Sequence, residues 1–134
     1  MLLKISVIGP AGALLLATLS SAAVAEQLTS SDHAKCMDKS GGVTAEMLDC
    51  DGAEMKRQDK RLNGAYQKLM AKASDMQKAA LRESQRLWLA YRKTTCDLIY
   101  KFGSGGTLDS ISASSCEVDT LAQRVKFLES LASN

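Results

Sequence analysis

Proline is almost missing from this chain: among 134 residues there is one, Pro10. Aromatic residues are nearly as scarce, with one tryptophan, three tyrosines and two phenylalanines. A β-sandwich or barrel of this length needs proline and turn clusters between its strands, and they are not here. Abundant Ala, Leu, Lys, Arg and Gln favour helices instead. Charge of one sign is also lacking. Seventeen basic residues face fifteen acidic ones, so there is no general attraction for nucleic acid or an anionic membrane. Histidine occurs once, at His33. No C-x-x-C pair, phosphate loop, nucleotide fingerprint or haem attachment motif is present, and neither a metal nor an organic cofactor is implied.

What the chain does have is an N-terminal leader. Lys4 precedes an apolar stretch interrupted at Gly9-Pro10 and Ser20-Ser21, and small residues stand at Ala23 and Ala25. Charge, apolar run and small-residue cleavage site make a signal peptide over residues 1–25. The run is too broken for the roughly 20 apolar residues of a membrane span. The expected mature chain, residues 26–134, suits one domain with a modest core and no membrane span. Export places it in the periplasm or outside the cell.

Four cysteines follow the leader: Cys36, Cys50, Cys96 and Cys116. An even count in a small exported domain reads as two disulfides. Each of the pairs Cys36–Cys50 and Cys96–Cys116 flanks a glycine turn, which favours the local pairing. A Cys50–Cys96 bridge is the rival.

Helical periodicity divides the mature chain. Residues 26–43 are polar and glycine-containing and read as a loose lead-in, with His33 as a solvated loop residue. A first helix, capped by Thr44, carries Met47, Leu48, Met55, Leu62, Ala65, Tyr66, Leu69 and Ala73 on one face. A second begins at Ser74 or Asp75 and ends near Phe102. Its broad stripe holds Ala80, Leu81, Ser84, Leu87, Trp88, Tyr91, Thr95, Leu98, Ile99 and Phe102, and a narrower one holds Leu89, Cys96 and Tyr100. Two stripes predict two neighbours, with this helix in the middle. After the Gly103–Gly106 stop, a shorter third helix runs from about Ser114 to Leu131. The expected fold is all-α: an antiparallel hairpin of two long helices, a shorter helix across it, and two disulfides.

Catalytic chemistry is not evident. Glu54 and Asp59 are carboxylates by position only, better read as surface charges. Ser84 has no histidine near it to activate it. Asp59 and Arg92 fall at similar depth on facing borders of the hairpin. They are expected to form a structural ion pair that fixes its register, with Asn63 and Gln85 completing the network.

Separated residues together form a family pattern: Thr44-x-Glu46-Met47-x-x-Cys50, then Asp59-x-x-Leu62-Asn63-x-x-Tyr66-x-x-Leu69, then Gln85-x-x-Trp88-x-x-x-Arg92-x-x-x-Cys96, followed by Gly105-Gly106, Cys116, Thr120 and Arg124. Over residues 36–131 the chain resembles the LprI-type lysozyme inhibitor N-terminal domain family. The resemblance implies a helical, exported, non-enzymatic protein whose partner is a lysozyme-type peptidoglycan hydrolase. The alternatives are an immunity protein against a periplasmic toxin and an envelope structural or stress factor without an enzyme target. For an inhibitor, the candidate interface is the loop Gly103, Ser104, Gly105, Gly106 and Thr107, based on a Cys96–Cys116 bridge. The acidic group Glu46, Asp49, Asp51 and Glu54 is a second surface that would suit a basic enzyme.

Overall fold

The computed structural model describes residues 28–133, so the expected leader lies outside the described residues. Four helices follow one another: α1 (Ser31–Lys39), α2 (Thr44–Lys72), α3 (Asp75–Phe102) and α4 (Thr107–Ser133). No strand occurs among the described residues.

From residue 28 onward the lead-in is structured, which corrects the expectation of a loose segment. Ser30 caps α1, its hydroxyl accepting the His33 N–H at 3.1 Å, and Asp32 sits in the first turn where it complements the helix dipole. The chain then reverses through Gly41 and Gly42, whose φ values of 56° and 83° suit glycine and strain other residues. Helix α2 starts at Thr44, but Val43 occupies the cap position and makes no side-chain cap bond. Ser74 opens α3 with a reciprocal cap: its hydroxyl accepts from the Gln77 N–H, and the Gln77 side chain accepts from the Ser74 N–H.

The largest departure is α4. It runs for 27 residues and begins seven positions before Ser114, through the stretch Thr107-Leu-Asp-Ser-Ile-Ser-Ala. Weak helix formers are carried here by local bonds and tethering. The Asp109 carboxylate accepts the Gly106 N–H at 3.1 Å, and Cys116 is bridged to Cys96 on α3.

Helix α4 also takes the middle position expected for α3. It packs along both α2 and α3, while α2 and α3 scarcely touch and α1 lies on α2. The core explains this order. Leu121, Val125 and Leu128 of α4 are fully buried against Leu62 and Ala65 of α2, and Leu81 and Trp88 of α3 close over them. Helix α3 buries one residue completely, Cys96. The long hairpin therefore exists in chain order but is wedged by α4. Arg61 of α2 and Glu129 of α4 join across the outside of that contact through two bonds, at 3.0 and 2.6 Å.

Candidate functional site

Two polar constellations stand out. The first lies where α1 crosses α2. Glu54 is completely buried, and four donors converge on its two oxygens: the Ser30 N–H (2.8 Å), the Ser30 hydroxyl (2.6 Å), Gln58 Nε2 (2.7 Å) and Arg57 Nε (2.8 Å). Burial pushes its pKa up. The bonds from the Ser30 hydroxyl, Gln58, the Ser30 backbone and Arg57 together outweigh burial and hold the carboxyl at about 2. One helical turn away, Asp51 is equally buried, with His33 Nε2 at 2.8 Å and the Ser115 hydroxyl at 3.4 Å. Burial raises the pKa of the neighbouring Asp119, the His33 side lowering it and Asp51 adding to the rise.

A serine, a histidine and an aspartate thus meet, but in the wrong order for a hydrolase. In a nucleophilic triad the histidine lies between the other two and takes the serine proton. Here Asp51 is central, and both Ser115 and His33 bind it. Glu54 is saturated and held as an anion, so it has no proton to give as a general acid at neutral pH. The constellation clasps α1 to α2 and α4. Glu54 and Asp51, read from sequence as surface carboxylates, are therefore withdrawn from any docking surface, leaving Glu46 and Asp49 exposed. His33 is a clasp residue, not a solvated one. Ser30 followed by Asp32 is the helix-start signal that marks α1, and it is visible in the sequence.

The second constellation joins α3 to α4. The Arg124 guanidinium lies 5.7 Å from the Trp88 ring centroid and 5.5 Å from that of Phe127, and it donates to Gln85 (3.2 Å) and Ser84 (3.0 Å). Arg92 stands 5.8 Å from the same tryptophan and donates to Glu117 at 3.0 Å and to the Met55 sulfur at 3.4 Å. This corrects the expected Asp59–Arg92 pair. Because α4 separates the hairpin arms, Arg92 meets a carboxylate of α4, while Asp59 and Asn63 are exposed on α2. Gln85, grouped with them from sequence, serves Arg124 instead. Four residues of the family pattern, Gln85, Trp88, Arg92 and Arg124, meet at this seam.

Disulfides join Cys36 to Cys50 and Cys96 to Cys116. The second staples α3 to α4 below the turn that links them. Gly103, Ser104, Gly105 and Gly106 form that turn and are exposed, with Gly105 at φ 77°; Thr107, also exposed, is the first residue of α4. Phe102 and Leu108 flank the turn and are 86% and 72% exposed. Sequence periodicity had placed Phe102 in the core. Beside the staple, Met55, Tyr100, Ser114 and Glu117 line an open groove of about 530 Å³. Among the described residues, no helix is long and apolar enough to cross a membrane, and no cluster of His, Cys, Asp or Glu is arranged to hold a metal.

Comparison with known proteins gives one finding. The family described as Lysozyme inhibitor LprI matches residues 36–128, from the first cysteine to the last buried leucine of α4. No curated protein and no solved structure gives a significant match.

Proposed function

Since the chain belongs to the LprI lysozyme inhibitor family, we propose that it is an exported inhibitor of lysozyme-type peptidoglycan hydrolases, acting by binding and not by catalysis. The family match over more than half of the chain is the observation that carries this reading. The two disulfides are compatible with it, since bridged small domains belong to oxidising compartments. Residues 1–25 act as the leader that delivers the protein there.

An inhibitor of a glycosidase has to block a cleft whose two catalytic carboxylates flank the scissile bond. Within this proposal the segment that enters is the α3–α4 turn, Gly103–Thr107. It is exposed, it stands on a disulfide-fixed base, and Lys101 precedes it with a positive charge suited to those carboxylates. Phe102 and Leu108 supply apolar contact on either side.

The test is lysis of cell walls by lysozymes of several classes, with and without the purified protein. Inhibition by the wild type is expected, weakened by shortening Gly103–Gly106 by two residues. Absence of inhibition in every class would refute the proposal. Full inhibition by the shortened variant would move the interface elsewhere.

A further inference from the structure

A groove of about 550 Å³ opens where α2 ends, α3 begins and α4 ends. Leu69 and Ala73, Ala80 and Leu81, and Phe127 and Leu131 line it, one pair from each side. Phe127 and Leu131 are 50% and 43% exposed, so the apolar lining is open to water. No carboxylate is among the lining residues. The volume suits one small molecule. The groove is also far from the α3–α4 turn. Ser84, at one end of it, stands about 27 Å along α3 from Phe102, so nothing here depends on whether that turn engages a hydrolase.

A charge at one end of the groove says what kind of molecule fits. Arg57, Arg61, Arg86 and Arg92 each meet a carboxylate. Arg124 is half-buried and, among the described residues, meets none. Its bonds go to the uncharged Gln85 and Ser84, and its guanidinium lies over the Trp88 and Phe127 rings. Burial lowers its pKa, and no acidic neighbour raises it. Two of these contacts, Ser84 and Phe127, are walls of the groove. Ser84 accepts from Arg124 and keeps its own O–H to donate. A cation on an aromatic shelf and a free hydroxyl donor thus stand together at the mouth of an apolar trough. We propose that this groove binds a medium-chain acyl carboxylate, its carboxylate on Arg124 and Ser84 and its tail between Leu69, Leu81 and Leu131.

The remaining polar groups of the lining explain why the ligand has one polar end. Gln77 is spent on capping α3, its side chain accepting the Ser74 N–H at 2.8 Å. Lys72 donates to the Ala132 carbonyl at 2.9 Å. Both sit away from Arg124, and both already serve helix ends. An alkyl tail passing them leaves no polar group of its own unmatched. An extended peptide would fit less well. The walls are helical, so they offer no free strand edge along which its amides could pair. From Ser84 to Gln77 the groove follows α3 for about 10 Å, a length that a medium acyl chain fills. The carboxylate gains a guanidinium and a hydroxyl donor together, which is the strong form of hydrogen bond.

Trp88 is the one tryptophan of the chain and lies against Arg124, so its fluorescence reports on the site directly. Decanoate, kept below its micelle-forming concentration, should change that emission saturably, and calorimetry should give one molecule per chain. Decanol, which has the tail without the charge, should bind roughly tenfold more weakly or worse. Arg124→Gln should remove the preference for decanoate over decanol, a ratio that a general loss of stability does not change. Ala80→Phe fills the groove from an exposed position of α3, so its thermal melt should match the wild type while both ligands lose affinity. No saturable response up to roughly millimolar decanoate, the weak end of specific association, would overturn the proposal. So would equal affinity for decanoate and decanol in the wild type, a preference that survives Arg124→Gln, or binding unchanged by Ala80→Phe. A short peptide ending in leucine with a free carboxylate that binds more tightly than decanoate would also overturn it, by assigning the groove to a protein C-terminus.

Discussion

Glu54 shows how a carboxylate that looks like surface charge becomes a structural anion. Its oxygens accept four bonds from three residues besides itself, so each lone-pair direction is used. Replacing it with alanine would leave the Arg57 guanidinium and the Ser30 N–H without their acceptor. Glu54→Ala is expected to lose about 3 kcal/mol of stability by chemical denaturation, in the range for breaking a buried pair from one side. The pH dependence follows from its lowered pKa. A group whose folded pKa lies below its unfolded value stabilises the fold at pH above the unfolded value and loses that contribution as pH falls through the folded one. For Glu54 the window runs from its ordinary value of 4.5 down to about 2. The wild type should lose stability across that range, and Glu54→Gln should show a shallower slope there. The Asp59–Arg92 correction gives a second comparison at this scale. Asp59→Ala should change stability by no more than about 0.5 kcal/mol, as exposed positions do, whereas Arg92→Ala should cost about 2 kcal/mol by stranding Glu117 and uncovering Trp88.

At the scale of elements, α4 is the informative case. Its first two turns are poor in helix formers and depend on the bond from the Gly106 N–H to Asp109. Gly103 is pressed against that same carboxylate, with no room for a Cβ. Gly103→Ala is therefore expected to displace Asp109, remove the cap and fray residues 107–113, at a cost of about 1 kcal/mol. Amide hydrogen exchange should quicken in that stretch and stay slow at Leu121–Leu128. This also shows what was legible beforehand. The centres of α2, α3 and α4 follow from apolar spacing, and Ser74 marks the start of α3. The extension of α4 was not legible, because propensity argues against helix at Ser110–Ser114 and the forces that override it come from Asp109 and from a bridge to another helix. Helix α1 was hidden for the opposite reason. It is short and buries no residue completely, so it leaves no apolar period, and polar contacts from Ser30 and His33 hold it. Layer order was misread because Leu87, Tyr91, Leu98 and Phe102 look like core residues by spacing alone. Apolar residues at helical spacing give the same signal in sequence whether their face is buried or, as here, exposed.

For the whole molecule, the two disulfides tie down different parts, and this separates stability from inhibition. Cys36–Cys50 binds α1 to α2 at a sequence separation of 14; Cys96–Cys116 binds α3 to α4 at a separation of 20. In chain-entropy terms the two are nearly equal, each adding about 3 kcal/mol by restricting the unfolded chain. Serine at both members of either pair should therefore lower the melting temperature by a similar amount. The consequences for binding should differ. The α1 clasp retains Glu54 with Ser30 and Asp51 with His33 after its bridge is gone, and neither contact belongs to the α3–α4 turn. Helices α3 and α4 are also joined one helical turn from the bridge by Arg92 and Glu117, but among the described residues the turn itself is fastened by local bonds. Among the described residues, hydrogen bonds at its base involve Ile99, Asp109 and Ser110, and Cys96–Cys116 is the covalent link that holds the two helix ends at fixed separation. If the turn enters a hydrolase cleft, its preorganisation contributes to affinity, because a loosened loop has to be reordered on binding. The Cys96→Ser, Cys116→Ser protein should then inhibit at least roughly tenfold more weakly than the wild type at a temperature where both are folded. The Cys36→Ser, Cys50→Ser protein should inhibit as well as the wild type under the same conditions. Equal loss in both would show that inhibition follows general stability, and loss confined to the Cys36–Cys50 variant would move the interface to the α1 end of the bundle.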